Sequence, residues 1–114
     1  MKDVKIYGPD ILQANDFVES LKAAGRHICV IKTDGQFYAT QPKCPHAGAR
    51  LSEGWCENKK LVCPYHRYQY DLETGRGAVG QGDYITIYPV EIKPDGVYVK
   101  LPEAFGFIKK LFKI

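Results

Sequence analysis

Two short segments carry the side chains best suited to hold a metal, Cys44-Pro45-His46 and Cys63-Pro64-Tyr65-His66. Each offers one thiolate and one imidazole within a few residues, so together they form a two-Cys, two-His set. The spacing is C-x-H, sixteen intervening residues, then C-x-x-H. It fits two irons held unequally, with Cys44 and Cys63 on one and His46 and His66 on the other. Structural zinc is the competing reading, because the same four ligands can close a tetrahedral site and fix two loops together. Zinc ribbons and fingers usually carry C-x-x-C knuckles, however. Here each loop mixes the two ligand types, and both cysteines precede a proline.

The stretch from Cys63 to Gly75, reading CPYHRYQYDLETG, resembles the second cluster loop and following hairpin of Rieske ferredoxins and ring-hydroxylating oxygenases. Cys44-Pro45-His46-Ala47-Gly48-Ala49 resembles the first loop, and Leu51-Ser52-Glu53-Gly54 resembles the turn after it. The resemblance runs from about Cys44 to Gly75 and more loosely to the C-terminal strand. It implies one [2Fe-2S] cluster per chain, bound by Cys44, His46, Cys63 and His66, with the two histidines nearest solvent as the electron's exit. The family's high-potential members join an extra cysteine in each loop by a disulfide. The equivalent positions here are Ala49 and Tyr65, so no such bridge is expected.

Three departures from the family pattern bear on the cluster's surroundings. Tyr68 stands where high-potential relatives carry a serine donor, while Tyr70 retains their tyrosine, either as a hydroxyl donor to sulfur or as a packed ring. Arg67 replaces a common glycine, so the loop backbone is expected to differ or its guanidinium to lie near the cluster. Gly77-Ala78-Val79-Gly80-Gln81-Gly82-Asp83 occupies the place of a proline-containing cover loop, and three glycines without proline suggest a more mobile, wetter cover.

The elements that must position these loops read mostly as short strands punctuated by turn residues, the signature of an all-β antiparallel sandwich or barrel. Asp34-Gly35 predicts a hairpin between a strand ending near Thr33 and the strand Gln36 to Thr40. Pro94-Asp95-Gly96 predicts another, from Val90-Glu91-Ile92 into Val97 to Leu101. In that last strand Val97, Val99 and Leu101 should be buried, and Tyr98 and Lys100 should face water. One helix is expected near the start, capped by Asp16 with Glu19 completing a capping box, Val18 and Leu21 inward, and Gly25 as terminator. Cys29 falls in the apolar run from His27 to Ile31 and reads as a core thiol. Cys56 follows Trp55 between the ligand loops, and a Cys29–Cys56 disulfide is the minor alternative to two reduced cysteines.

With 114 residues, 45% apolar and 25% charged, the chain has the size and balance of one soluble globular domain. The additional mononuclear-iron domain of a hydroxylating oxygenase would not fit, so the chain is expected to be a carrier or small subunit rather than an enzyme. The charged N-terminal residues Lys2, Asp3 and Lys5 do not suit a signal peptide, and no segment is long enough to span a bilayer, which together favour the cytoplasm. A net charge of +3 on scattered lysines argues against nucleic acid as a partner. The expected partners are a ferredoxin reductase and a terminal oxygenase or other redox acceptor. The alternative within the resemblance is a Rieske-like small subunit of a reductase such as nitrite reductase.

The division expected is a cluster domain over 1–103 and a tail over 104–114. In the tail Phe105, Phe107, Ile108, Leu111, Phe112 and Ile114 lie opposite three lysines on a helical wheel, as in a short amphipathic helix. That face is expected to fold back over the sandwich, with docking on an acidic partner or an anionic membrane surface as the alternative.

Overall fold

The computed structural model describes residues 2–45, 48–65 and 67–102. Among these residues ten strands follow one another: β1 (Lys2–Tyr7), β2 (Phe17–Ala23), β3 (Arg26–Thr33), β4 (Gln36–Thr40), β5 (Trp55–Glu57), β6 (Lys60–Val62), β7 (Gln69–Asp71), β8 (Ile87–Tyr88), β9 (Val90–Lys93) and β10 (Gly96–Leu101). Short 3-10 turns occupy Pro9–Gln13 and Leu51–Glu53. The strands form three sheets, ordered β2-β3-β4-β8, β1-β10-β9 and β5-β6-β7, and every pairing is antiparallel. The expected all-β class is therefore the one observed.

Strand β3 explains the layering. Its residues Ile28 to Lys32 are all buried, as in a strand covered on both faces. Side chains alternate across a strand, so Cys29 and Ile31 join one core with Leu51, Leu61, Tyr70, Leu72 and Ile85, beneath the ligand loops. Ile28 and Val30 join a second core with Ala39, Tyr88, Val99 and Leu101. Each fully buried Ile or Leu contributes about 1.5–3 kcal/mol through removal of its surface from water. Lys32 is buried as well, and its ammonium donates to the carbonyls of Leu12 and Ala14 at the end of the first 3-10 turn.

Both anticipated hairpins are present. Asp34 and Gly35 have φ of 50° and 75°, the left-handed pair that a two-residue type I′ turn requires. Pro94-Asp95 joins β9 to β10, where Val97, Val99 and Leu101 are buried and Tyr98 and Lys100 only partly so.

The expected N-terminal helix is a strand instead. Phe17 to Ala23 pair residue for residue with β3, from Phe17 opposite Lys32 to Ala23 opposite Arg26. Ala24 and Gly25 form a second turn with both φ positive. The spacing of Val18 and Leu21 suited a helical face, but seven cross-strand pairings and the two cores outweigh a weak local propensity. Phe17, Leu21 and Ala23 pack on one core and Val18 on the other. Glu19 accepts the Tyr7 hydroxyl rather than closing a capping box, and Gly25 ends a strand. The tail, with the helix expected there, lies outside the described residues.

Cys29 and Cys56 are both free thiols, and Cys29 is a core residue with no exposed surface. Burial pushes the Cys29 thiol up to about 12, partly offset by a hydrogen bond with Thr40. An unfolded thiol ionises near 9 while the folded one stays protonated. Its contribution to stability is therefore complete below pH 9 and is lost as pH rises toward 12. Denaturant titrations across that window should show the native protein losing stability faster than Cys29→Ala, by up to about 1.4 kcal/mol per pH unit. Parallel pH profiles for the two proteins would contradict this account.

Candidate metal centre

The first ligand loop leaves β4 through Gln41 and Pro42. Its entry is anchored by the Gln41 amide donating to Thr86 O at 3.2 Å and by Gln41 Oε1 accepting the Thr86 amide at 2.8 Å. A bridge between Lys43 and Arg50 closes its neck. Inside, the Cys44 amide donates to Ala49 O at 2.8 Å and the Gly48 amide to Cys44 O at 3.0 Å, with Gly48 at φ 68°. The second loop connects β6 to β7, and the Cys63 amide donates to Tyr68 O at 2.7 Å across it. The two loops thus have parallel constructions, each a tight reversal with a cysteine at its base.

These reversals bring Cys44 and Cys63 together in one core, 2% and 0% exposed. Burial raises the Cys63 thiol, the Tyr65 backbone N–H donating to its sulfur lowers it, and the hydrogen-bonded Cys44 thiol beside it raises it further. Two adjoining thiols away from water cannot both ionise unless a cation lies between them, and a metal favours the thiolate that ligates it. The chemistry of this donor pair therefore fits a thiolate-bound iron. His46 and His66, the other two expected ligands, lie outside the described residues.

Arg67 has φ 55°, the left-handed conformation in which a glycine is free of strain. The backbone expected to change with the loss of glycine instead keeps a glycine-like geometry. Ala49 is buried and Tyr65 is 57% exposed, and neither offers sulfur.

The 77–83 loop closes over β7. The Ala78 amide donates to Gln69 O at 3.0 Å, the Gly77 amide to Asp83 O at 2.9 Å, and the Gln81 amide to Ala78 O at 2.9 Å. Side chains add to this, with Gln81 Oε1 accepting the Gln69 amide at 2.9 Å and Gln81 Nε2 donating to Asp83 Oδ1 at 3.0 Å. A Cβ on Gly77 would stand 2.5 Å from Asp83 Oδ1 and 2.6 Å from Gln81 Nε2, so glycine here leaves room for the clamp. Gly80 and Gly82, at φ 94° and 74°, supply reversals. Where glycine content suggested a loosely held cover, the loop is tied to β7 by both backbone and side chains.

Tyr70 is a packed ring whose hydroxyl also comes within hydrogen-bonding reach of a sulfur and a carboxylate. Its ring is completely buried, and its hydroxyl lies 3.3 Å from Cys44 Sγ and 2.7 Å from Asp83 Oδ2. Asp83 and Gln81 were not anticipated as site residues. Nothing in a glycine-rich stretch announces which of its polar side chains turn inward.

The Rieske [2Fe-2S] domain model matches residues 3–86. This chain belongs to the Rieske [2Fe-2S] family. It is 35% identical over 79 residues to the 3-phenylpropionate/cinnamic acid dioxygenase ferredoxin subunit of Escherichia coli strain K12, covering 68% of this chain and 74% of that one. It is 33% identical over 85 residues to the ferredoxin component of the naphthalene 1,2-dioxygenase/salicylate 5-hydroxylase systems of a Ralstonia species, covering 74% and 82% of the two. The solved ferredoxin of carbazole 1,9a-dioxygenase from Nocardioides aromaticivorans IC177 superposes with a TM-score of 0.77 at 22% identity, over 90% of this chain and 100% of that one. That likeness is one of fold. As a Rieske ferredoxin the chain carries a single [2Fe-2S] cluster and serves electron transfer rather than substrate turnover, and the zinc reading gives way. Among the described residues no helix is long and apolar enough to cross a membrane.

Because Arg67 holds a left-handed conformation, Arg67→Gly should relieve strain and stabilise the fold by about 1 kcal/mol. The expected result is a higher melting temperature with an unaltered visible spectrum. A lower melting temperature would show that the guanidinium makes contacts worth more than the strain.

Proposed function

We propose that this chain is a cytoplasmic one-electron carrier that takes an electron from a ferredoxin reductase and delivers it to a terminal oxygenase or other redox acceptor. The observation that carries the reading is the pair of adjoining buried thiols, Cys44 and Cys63, at the bases of two loops that each contain a histidine. Cys44 and Cys63 hold one iron, and His46 and His66 hold the other. The cluster supplies one-electron redox chemistry when bound.

The remaining work belongs to the protein. The Tyr65 amide directed at the Cys63 sulfur stabilises negative charge there, while Leu51, Leu61 and Leu72 beneath the loops keep the sulfur side dry. Neutral imidazoles in place of two thiolates make electron acceptance easier than at an all-cysteine site. In this reading the sequence divides into a cluster domain over 1–103 and a tail over 104–114. The named relatives serve dioxygenase systems, which supports an oxygenase as the acceptor.

Natively purified protein should contain two irons and two acid-labile sulfides per chain and give a rhombic electron paramagnetic resonance signal on reduction. His46→Ala or His66→Ala should abolish or grossly alter that signal, while His27→Ala, outside both loops on β3, should leave it intact. Stoichiometric zinc with no visible absorption would overturn the reading. Reduced protein should also reoxidise when mixed with a terminal oxygenase, as followed by stopped-flow absorbance.

A further inference from the structure

The Tyr70 hydroxyl has a single proton and two close neighbours, Asp83 Oδ2 at 2.7 Å and Cys44 Sγ at 3.3 Å. A phenol is protonated at neutral pH, and here its hydroxyl is the donor to Asp83. Once Cys44 is a thiolate ligand it has no proton to offer, and both neighbours can only accept. A carboxylate at the shorter distance receives the stronger, charge-assisted bond, whereas a ligating thiolate shares its charge with the metal.

We propose that Asp83 is a positioning residue that draws the Tyr70 proton away from Cys44 Sγ and thereby keeps the cluster's reduction potential low. This rests on the reading above in which Cys44 is a cluster ligand. The electron comes from the reductase, the cluster gains one negative charge, no covalent bond changes and no proton leaves Tyr70. Only the direction of one hydrogen bond is at issue. A donor aimed at sulfur would stabilise the more negative reduced form. With the proton committed to Asp83, that stabilisation is withheld.

The hydrogen-bond chain behind Asp83 has a fixed sense, which makes the proposal testable by an isosteric change. The Gln69 backbone N–H can only donate, so Gln81 must turn Oε1 toward it and present Nε2 to Asp83 Oδ1. In Asp83→Asn the introduced carbonyl must therefore accept from Gln81, and the introduced amide N–H must face Tyr70. Among the described residues, Cys44 Sγ is then the acceptor left within reach of the Tyr70 hydroxyl. Loss of the negative charge would raise the potential by itself, so the single variant does not separate the two effects. A double-mutant cycle does.

The experiment is a redox titration of the cluster-loaded protein, monitored by electron paramagnetic resonance, for the native chain, Tyr70→Phe, Asp83→Asn and the double variant. Asp83→Asn should shift the midpoint upward. Tyr70→Phe should then shift it downward by more in the Asp83→Asn background than in the native one. A fall of equal or greater size in the native background would show that the hydroxyl already donates to sulfur, and would overturn the proposal. If Asp83→Asn fails to take up the cluster, Asp83→Ala leaves Tyr70 the same acceptor and supplies the same comparison. Should neither load, a downward shift on Tyr70→Phe in the otherwise native protein overturns the proposal, and its absence supports it. Absence of iron and sulfide from the native protein would instead defeat the cluster reading itself.

Discussion

Two sulfur atoms forced into contact away from solvent, on Cys44 and Cys63, set the terms for everything around them. Apposed thiols gain little from one another, and ionising both would place two like charges in an apolar core. Their proximity is imposed by the fold. The Cys44 amide is fixed to Ala49 and the Cys63 amide to Tyr68, so each cysteine is determined by a backbone bond across its own loop. The loops are in turn rooted in strands with apolar side chains on the inner face. A metal held between them would turn this unfavourable pair to use, and its binding free energy would then be part of the free energy of folding.

The sheets divide the labour unequally. The sheet β1-β10-β9 shares a core with the central one and neither described ligand-loop neck joins its strands, while β5-β6-β7 is short and carries the second loop between two of its strands. Central strand β3 contributes to both cores at once. Displacement of β3 would therefore be felt beneath Cys44 and Cys63 as well as on the far side. Gly75 shows how tightly the small sheet is joined to the segment before β8, since a Cβ there would stand 2.2 Å from Ile85 O.

Much of this could be read from residue types in short register. The two hairpin turns, the alternation in β10 and the buried Cys29 follow from local rules that tertiary context did not override. Strand β2 was illegible for the opposite reason. Val18, Glu19, Leu21 and Gly25 satisfy a helical pattern, and only the neighbouring β3, apolar on both faces, makes a strand the better solution. The spacing singled out Cys44 and Cys63, which the fold buries together, but the Tyr70, Asp83 and Gln81 connections are long-range hydrogen bonds between β7 and a loop. No periodicity encodes such bonds. Arg67 shows a further limit, because a substitution that ought to alter a glycine conformation has instead been tolerated within it.

The outer strands have a consequence for how this protein behaves at high concentration. Among the described residues strand β9 is an edge of its sheet, the type of surface on which a second chain could add a strand, yet Pro89 and Pro94 flank it and Glu91 and Lys93 punctuate it. On the opposite edge, β1 carries Lys2, Asp3 and Lys5 and breaks register between Lys5 and Tyr7. Charge, proline and irregular pairing are devices that discourage edge-to-edge aggregation. A carrier that must meet partners and leave them again gains from margins that resist sticking to copies of itself.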